Sequence, residues 1–194
     1  MKEYIKKLLQ KYDYYDPVKD RMEVLRFARL KNSKILDVGT GFGHIAILAA
    51  KEYNCLVTAI DNCEEKIMQA KENARKENVL DKITFTIADA TQMPYPNNSF
   101  DVVMSFNALH HCRGDYKKIV SEMFRVSKKK VVITELNETG AKAFDEFIHP
   151  EENHRKMILN LELLHGLLKE KSKVSVLERK TMNTYVCEKM EEQK

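Results

Sequence analysis

The stretch Ile35-Leu-Asp-Val-Gly-Thr-Gly-Phe-Gly-His-Ile-Ala-Ile47 decides how this chain folds. Its apolar run over 34–38 predicts a buried parallel strand, and the apolar periodicity over 43–53 predicts a helix. The glycines between them let the backbone approach a ligand closely, and the start of a helix offers unpaired N–H groups. A strand, a glycine turn and a helix in this order place a ligand at the carboxyl end of a sheet strand.

The spacing of the glycines bears on the kind of ligand. The dinucleotide fingerprint is G-x-G-x-x-G. Here Gly39, Gly41 and Gly43 form G-x-G-x-G, and His44 stands where the fingerprint has its last glycine. Glycines that only shape a strand–helix turn are a second interpretation, so the neighbouring segments have to identify the ligand.

Acidic residues end the next two predicted strands. The strand at 56–61 ends in Asp61, and the strand at 83–88 is followed by Asp89 and Ala90. A carboxylate at the end of the second strand can accept hydrogen bonds from both hydroxyls of a ribose. Asp61 can equally cap the helix that follows it, and the two roles are compatible.

With a fourth strand at 102–106, the chain resembles the class I S-adenosylmethionine-dependent methyltransferases. The first motif of that family matches residues 37–43, and the acidic residue that ends its second strand matches Asp61. Its adenine-contacting motif matches Asp89 and Ala90, and its fourth-strand motif matches residues 100–105. The resemblance covers nearly the whole chain and rests on four motifs in the right order.

The resemblance implies an α/β fold with a doubly wound, Rossmann-like sheet of seven strands. The implied strand order is 3-2-1-4-5-7-6, with a C-terminal antiparallel hairpin. We expect a single methyltransferase domain over 1–194, in which N-terminal helices within 1–30 form a lid and 31–194 form the cofactor-binding core.

The resemblance also implies S-adenosyl-L-methionine as cofactor. Asp61 and Asn62 are expected at the ribose, Asp89 and Ala90 at the adenine, and a backbone carbonyl within 105–107 at the methionine ammonium. Asp37 is expected to orient the glycine loop or to reach the ammonium through water. The complete expected set is Asp37, Gly39, Thr40, Gly41, Gly43, Asp61, Asn62, Asp89, Ala90, Ser105 and Asn107.

Periodicity assigns most of the remaining chain. It predicts helices at 2–12, 20–30, 64–78, 115–127 (capped by Asp115) and 153–171, and a strand at 130–136. It also predicts a terminal hairpin of strands 174–180 and 183–188, turning at Thr181 and Met182. We expect the segment 137–153, together with the N-terminal helix, Tyr12, Tyr14 and Tyr15, to form a lid over the transferring methyl group. Tyrosines that only cover the edge of the sheet are the second interpretation.

Two histidine-containing segments allow sharper interpretations. His110 and His111 are candidates for a general base, since histidine titrates near neutrality. A metal site is a further interpretation, but neighbouring histidines on one loop diverge, and no carboxylate or further cysteine lies nearby in the sequence. We expect the pair to pack the loop under the cofactor, the segment 149–154 to be a loop and helix start, and no metal to be bound.

Composition narrows the class of protein. The formal charge of +4 is too small and too dispersed to favour nucleic acid, and no apolar run reaches the length of a membrane span. Four cysteines without C-x-x-C or zinc spacing, and no apolar leader, indicate a cytoplasmic protein with reduced thiols. We expect a monomer or a homodimer.

The absence of one family motif narrows the class of molecule that could accept the methyl group. Residues 106–110 replace the Asn-Pro-Pro-Tyr motif that the family uses for adenine and amide nitrogens. The expected acceptor is therefore a small metabolite or, less typically, a protein. Two other hypotheses stay open: a NAD(P)-dependent oxidoreductase, against which the glycine spacing argues, and a non-catalytic methyltransferase-like subunit.

Overall fold

A computed structural model describes residues 17–112, 114–148 and 150–190. The predicted helix at 2–12 and the three tyrosines of the predicted lid lie outside these residues. The described helices are α1 Pro17–Phe27, α2 His44–Tyr53, α3 Glu64–Lys76, α4 Tyr116–Val126, α5 Glu138–Phe147 and α6 Leu161–Lys169. The strands are β1 Lys34–Val38, β2 Leu56–Asp61, β3 Ile83–Ile87, β4 Phe100–Phe106, β5 Ser127–Leu136, β6 Ser172–Glu178 and β7 Met182–Lys189.

All seven strands form one sheet in the order β3-β2-β1-β4-β5-β7-β6. The first five strands run parallel, and β7 runs antiparallel between β5 and β6. The predicted fold class, strand order and terminal hairpin are therefore confirmed. The carboxyl ends of β1 to β5 share one edge, where the order reverses between β1 and β4, and this is where ligands bind in such sheets.

The central strands β1, β4 and β5 are buried on both faces of the sheet, which explains why they are apolar runs rather than alternating ones. Successive residues of β1 enter different cores: Ile35 packs with α1 and α2, whereas Leu36 packs with α4 and α6. Val102 and Val103 of β4 divide in the same way. None of the described helices is long and apolar enough to cross a lipid bilayer.

The predicted helix at 153–171 is wrong in its first half. Residues 154–156 form a single 3₁₀ turn, and the helix begins only at Leu161. The side chain of Asn160 explains the break, because it accepts hydrogen bonds from the backbone N–H groups of Glu162 and Leu163 at 3.0 Å each. An asparagine in this position starts a helix rather than continuing one.

The segment 137–153, to which periodicity assigns no helix, contains α5. Asn137 caps this helix by accepting a hydrogen bond from the N–H of Gly140 at 3.0 Å. The glycine weakens the helical signal in the sequence, and the structure shows why it is there. A Cβ at position 140 would lie 1.8 Å from the carbonyl oxygen of Thr181, in the turn that joins β6 to β7.

Two smaller predictions also need correction. The hairpin turns at Lys180 and Thr181, because Arg179 donates its N–H to the carbonyl of Met182 at 3.0 Å and β7 already begins at Met182. Asp115 occupies the position before α4, but its side chain makes no capping hydrogen bond.

Candidate active site

The glycine loop between β1 and α2 is shaped by backbone that other residues rarely adopt. The φ angles of Gly39, Gly41 and Gly43 are 71°, 53° and 79°. A Cβ on Gly39 would lie 2.6 Å from the Cβ of Ala108, so this glycine lets the loops after β1 and β4 meet. A Cβ on Gly41 would contact nothing within 4 Å, which leaves the middle of the loop open on the ligand side.

Asp61 at the end of β2 ties the glycine loop to the start of α3. One carboxylate oxygen accepts the N–H of Gly41 at 2.9 Å, and the other accepts the N–H of Cys63 at 3.0 Å. The side chain is 8% exposed. A carboxylate has about four acceptor positions, so two remain for a ligand. The contact with Cys63 holds the start of α3, in keeping with the helix-capping role expected of Asp61.

Asp37 lies inside β1 and orients the loop through Thr40. The hydroxyl of Thr40 donates to Oδ2 of Asp37 at 2.6 Å. Burial raises the pKa of Asp37 to about 7. The second oxygen, Oδ1, is buried and has no hydrogen-bond partner among the described residues. Through the hydrogen bond with Thr40, Asp37 is placed to orient the glycine loop. Its Oδ1 remains as a hydrogen-bond acceptor beside that loop.

The end of β4 presents two more buried polar atoms. Among the described residues, neither the hydroxyl of Ser105 nor Oδ1 of Asn107 has a hydrogen-bond partner. Asn107 takes a left-handed backbone, with φ at 51°, and donates its N–H to the carbonyl of Thr134 at 2.8 Å. A buried polar group without a partner costs about 1–3 kcal/mol. Together with Asp37 on the neighbouring strand, these atoms fit a bound polar ligand.

The remaining predicted cofactor residues lie on the same edge of the sheet but are less buried. Asn62 and Asp89 are exposed, and Ala90 is partly buried. Oδ1 of Asp89 accepts the N–H of Thr91 at 2.7 Å, and this bond lowers the pKa of the carboxyl. Asp89 is therefore ionised at neutral pH and retains acceptor positions.

Glu135 near the end of β5 is a site residue that the sequence analysis missed. It is 1% exposed, and Oε1 accepts the N–H groups of Ala108 at 3.2 Å and Leu109 at 2.9 Å. Its Oε2 lies 2.7 Å from Nδ1 of His110, which is 3% exposed. A lone acidic residue in the apolar run of β5 was the available signal, because a buried carboxylate needs partners.

The fold also brings a third histidine to this loop. His154 packs beside both predicted histidines, with its ring centroid 5.5 Å from that of His110 and 5.9 Å from that of His111. His111 is half-buried, and desolvation together with His110 lowers its pKa to about 4, so that this ring is neutral at pH 7. His149 lies outside the described residues.

A cavity of about 370 Å³ opens beside this cluster. It lies between the loop after β4, the start of α4 and the stretch before α6. Its lining is mostly apolar apart from one histidine and one lysine: His110, Gly114, Tyr116, Lys156, Met157 and Leu159. A volume of this order suits a small molecule.

A family model described as "Methyltransferase domain" matches residues 35–130, which run from the glycine loop through the loop after β4 to β5. The chain belongs to the class I S-adenosylmethionine-dependent methyltransferases. The family predicted from the four sequence motifs is therefore confirmed.

Two curated methyltransferases with different names are similar to parts of this chain. The chain is 41% identical over 78 residues to 27-O-demethylrifamycin SV methyltransferase of Amycolatopsis mediterranei, covering 40% of this chain and 29% of that protein. It is 32% identical over 152 residues to a ubiquinone/menaquinone biosynthesis C-methyltransferase of Rickettsia akari, covering 70% and 61%. The chain thus spans less than two thirds of each of these relatives.

The fold is shared along its whole length with a solved structure. A SAM-dependent methyltransferase from Aquifex aeolicus superimposes with a TM-score of 0.73 at 20% identity, covering 98% of this chain and 100% of that one. At this level of identity the likeness concerns the fold.

Proposed function

We propose that this methyltransferase family member is an active enzyme that transfers a methyl group from S-adenosylmethionine to a nucleophilic atom of a small molecule. The observation that carries the proposal is the set of buried, unpartnered acceptors of Asp37, Ser105 and Asn107 beside an open glycine loop. These atoms match the amino-acid end of the cofactor, whose ammonium donates hydrogen bonds.

Each predicted cofactor residue has a role compatible with its position. Asp61 offers its remaining acceptor positions to the ribose hydroxyls, with Asn62 beside it. Asp89 accepts from the exocyclic amine of adenine, and the N–H of Ala90 faces the ring. Asp37, Ser105 and Asn107 surround the methionine portion, while the backbone of Gly39, Thr40, Gly41 and Gly43 allows the close approach.

The bound cofactor supplies an electrophilic methyl on a sulfonium, and the protein supplies position and a dry site. We place the acceptor in the cavity beside His110, which borders the loop after β4. Its mostly apolar lining and modest volume support a small organic acceptor. The names of the curated relatives, which concern a rifamycin and quinone biosynthesis, point the same way. His110 and His111 remain the catalytic candidates.

Calorimetry with S-adenosylhomocysteine, S-adenosylmethionine and NAD tests the cofactor assignment. We expect heat from the first two and none from NAD, because the dinucleotide fingerprint uses its last glycine to pack the helix closely on the strand, and His44 stands in that place. A screen of small metabolites with a labelled methyl donor then tests turnover. Binding of NAD without binding of S-adenosylhomocysteine would favour an oxidoreductase. Binding of the donor without turnover on any metabolite class would favour a non-catalytic subunit.

A matched pair of variants sharpens the result. Asp61→Ala removes the proposed ribose acceptor, whereas Asp81→Ala removes an exposed aspartate in the turn before β3. We expect only the first variant to lose cofactor affinity. Equal affinity in both folded variants would contradict the assignment of the site.

A further inference from the structure

We propose that His110, His111 and His154 bind a divalent transition metal ion, with Zn²⁺ the best match, at the acceptor side of the site. One ring nitrogen from each histidine lies within 4.8 Å of those from the other two. The three residues come from two segments more than 40 positions apart in the sequence, so the fold itself creates the cluster. This proposal revises the prediction that no metal is bound.

The orientation of His110 is that of a metal ligand. Glu135 lies 2.7 Å from Nδ1, which directs Nε2 away from β5. That Nε2 is buried and has no hydrogen-bond partner among the described residues. A histidine that ligates a metal almost always donates its other ring N–H to a carboxylate or carbonyl, which fixes the tautomer and raises the basicity of the ligating nitrogen.

His154 repeats the arrangement with a second carboxylate. Oδ1 of Asp145, in α5, lies 3.1 Å from Nδ1 of His154 and also accepts the backbone N–H of that residue. The other oxygen of Asp145 is held by the backbone and side-chain N–H groups of Arg155 at 3.2 and 3.0 Å. Both supporting carboxylates are therefore fixed by backbone N–H groups, as the outer shell of a metal site is.

Glu152 supplies an anionic oxygen to the same space. Its Oε2 lies 3.0 Å from Nε2 of His154 and 3.9 Å from Nε2 of His111. Three imidazole nitrogens and one carboxylate oxygen form a donor set that suits Zn²⁺. Nitrogens bound to Zn²⁺ in a tetrahedron lie about 3.4 Å apart, so the ring nitrogens move together by roughly 1 Å when the ion binds.

The position of the cluster suggests what the metal does, and this part rests on the proposed function. His110 also lines the cavity in which we place the acceptor. A metal held by three histidines keeps a fourth position that an acceptor thiol or hydroxyl can occupy once Glu152 leaves it. Coordination lowers the pKa of that group, and its proton passes through Glu152 to water. An electron pair of the resulting anion then forms the bond to the methyl carbon, while the carbon–sulfur bond breaks and its pair returns to sulfur, leaving S-adenosylhomocysteine.

The test measures metal binding by itself. Protein stripped with a chelator is titrated with Zn²⁺ by calorimetry, and with Co²⁺ by visible absorption, which reports ligand type and geometry. We expect one ion per chain with a Kd of about 1 µM or tighter. His154→Ala and His111→Ala should each weaken Zn²⁺ by more than about 100-fold, and Glu135→Gln by about 10–100-fold, the usual effect of an outer-shell partner.

Three controls make the outcome decisive. His165→Ala removes a histidine of α6 outside the cluster, and Cys112→Ser removes the nearest thiol in the sequence, so both should keep wild-type metal affinity. His111 has a half-exposed side chain, so its variant tests the proposal even if His154→Ala fails to fold. Calorimetry with S-adenosylhomocysteine on His111→Ala and His154→Ala should give wild-type affinity, which separates failure of the metal site from failure of the cofactor site. Absence of Zn²⁺ binding, or equal losses in His165→Ala and His111→Ala, would overturn the proposal.

Discussion

Replacing Asp37 by asparagine should change how the stability of the protein depends on pH. Asp37 is 1% exposed, and burial raises the pKa of its carboxyl from the ordinary value of 3.8 to about 7. The folded protein therefore binds this proton more tightly than the unfolded chain does. The stability that protonation contributes is complete below about pH 4 and is lost as pH rises through about 7.

The magnitude follows from the difference between the two pKa values. A difference of about three pH units corresponds to about 4 kcal/mol at 1.36 kcal/mol per unit. Asparagine keeps a carbonyl oxygen that accepts the hydrogen bond from Thr40 but carries no charge. We therefore expect wild type and Asp37→Asn to have similar stability at pH 4, and the variant to be more stable by up to about 4 kcal/mol at pH 8.

Urea unfolding at several pH values between 4 and 8 measures this difference. Asp101→Asn is the control of opposite sign, because the N–H of Lys34 and the neighbouring Lys129 hold the pKa of Asp101 below its ordinary value. That control should be less stable than wild type at neutral pH, and its deficit should shrink on acidification. Parallel curves for wild type and Asp37→Asn over the whole range would refute the reasoning about Asp37.

Three further substitutions test the site and the fold. Asp61→Ala should weaken S-adenosylhomocysteine by about 2–4 kcal/mol in calorimetry, because charge-assisted hydrogen bonds to the ribose are lost; unchanged affinity in a folded variant would contradict this. Gly39→Ala should abolish measurable cofactor binding, since its Cβ would lie 2.6 Å from that of Ala108 and φ is positive; retained binding would show that the loop adapts. Gly140→Ala should lower the free energy of unfolding by about 1–3 kcal/mol through overpacking against the β6–β7 turn, whereas Gly166→Ala in α6, where a Cβ meets nothing within 4 Å, should raise it by about 0.5–1 kcal/mol. Equal effects of the two glycine variants in denaturant unfolding would argue against the close contact.

The candidate cofactor residues could be named from the sequence because the patterns that point to them are local. The glycine loop follows β1 directly, and Asp61 stands at the end of β2, so their positions depend only on the alternation of strands and helices. Short-range patterns of this kind survive in a single sequence. The strand order came from the family resemblance, because an alternation of strands and helices does not by itself say which strands are neighbours in the sheet.

The acceptor half depends on contacts between distant segments. The structure brings His154 to His110 through the arrangement of α5 and the 3₁₀ turn, neither of which the periodicity predicts. Gly140 lowers the helical propensity of the segment that forms α5, so the sequence pattern gives no helix there. The reason for the glycine is its close approach to Thr181, which lies 41 positions away in the sequence. Glu135 was overlooked for the same reason: its three hydrogen bonds all reach residues 25 to 27 positions away.

The placement of β7 between β5 and β6 has a consequence for how the protein acquires its structure. Until β7 pairs with it, β5 is an open edge of the sheet. The buried contact between the hydroxyls of Thr134 and Thr184, which lie 2.9 Å apart, also forms only when β7 is in place. Seven successive residue pairs of β5, from Lys130 to Leu136, form only when β7 is present, and β7 is the last of the described strands in the sequence. A nascent or truncated chain lacking 182–189 would therefore expose a long apolar template for intermolecular pairing, so that loss of this segment should lead to aggregation rather than to a smaller domain.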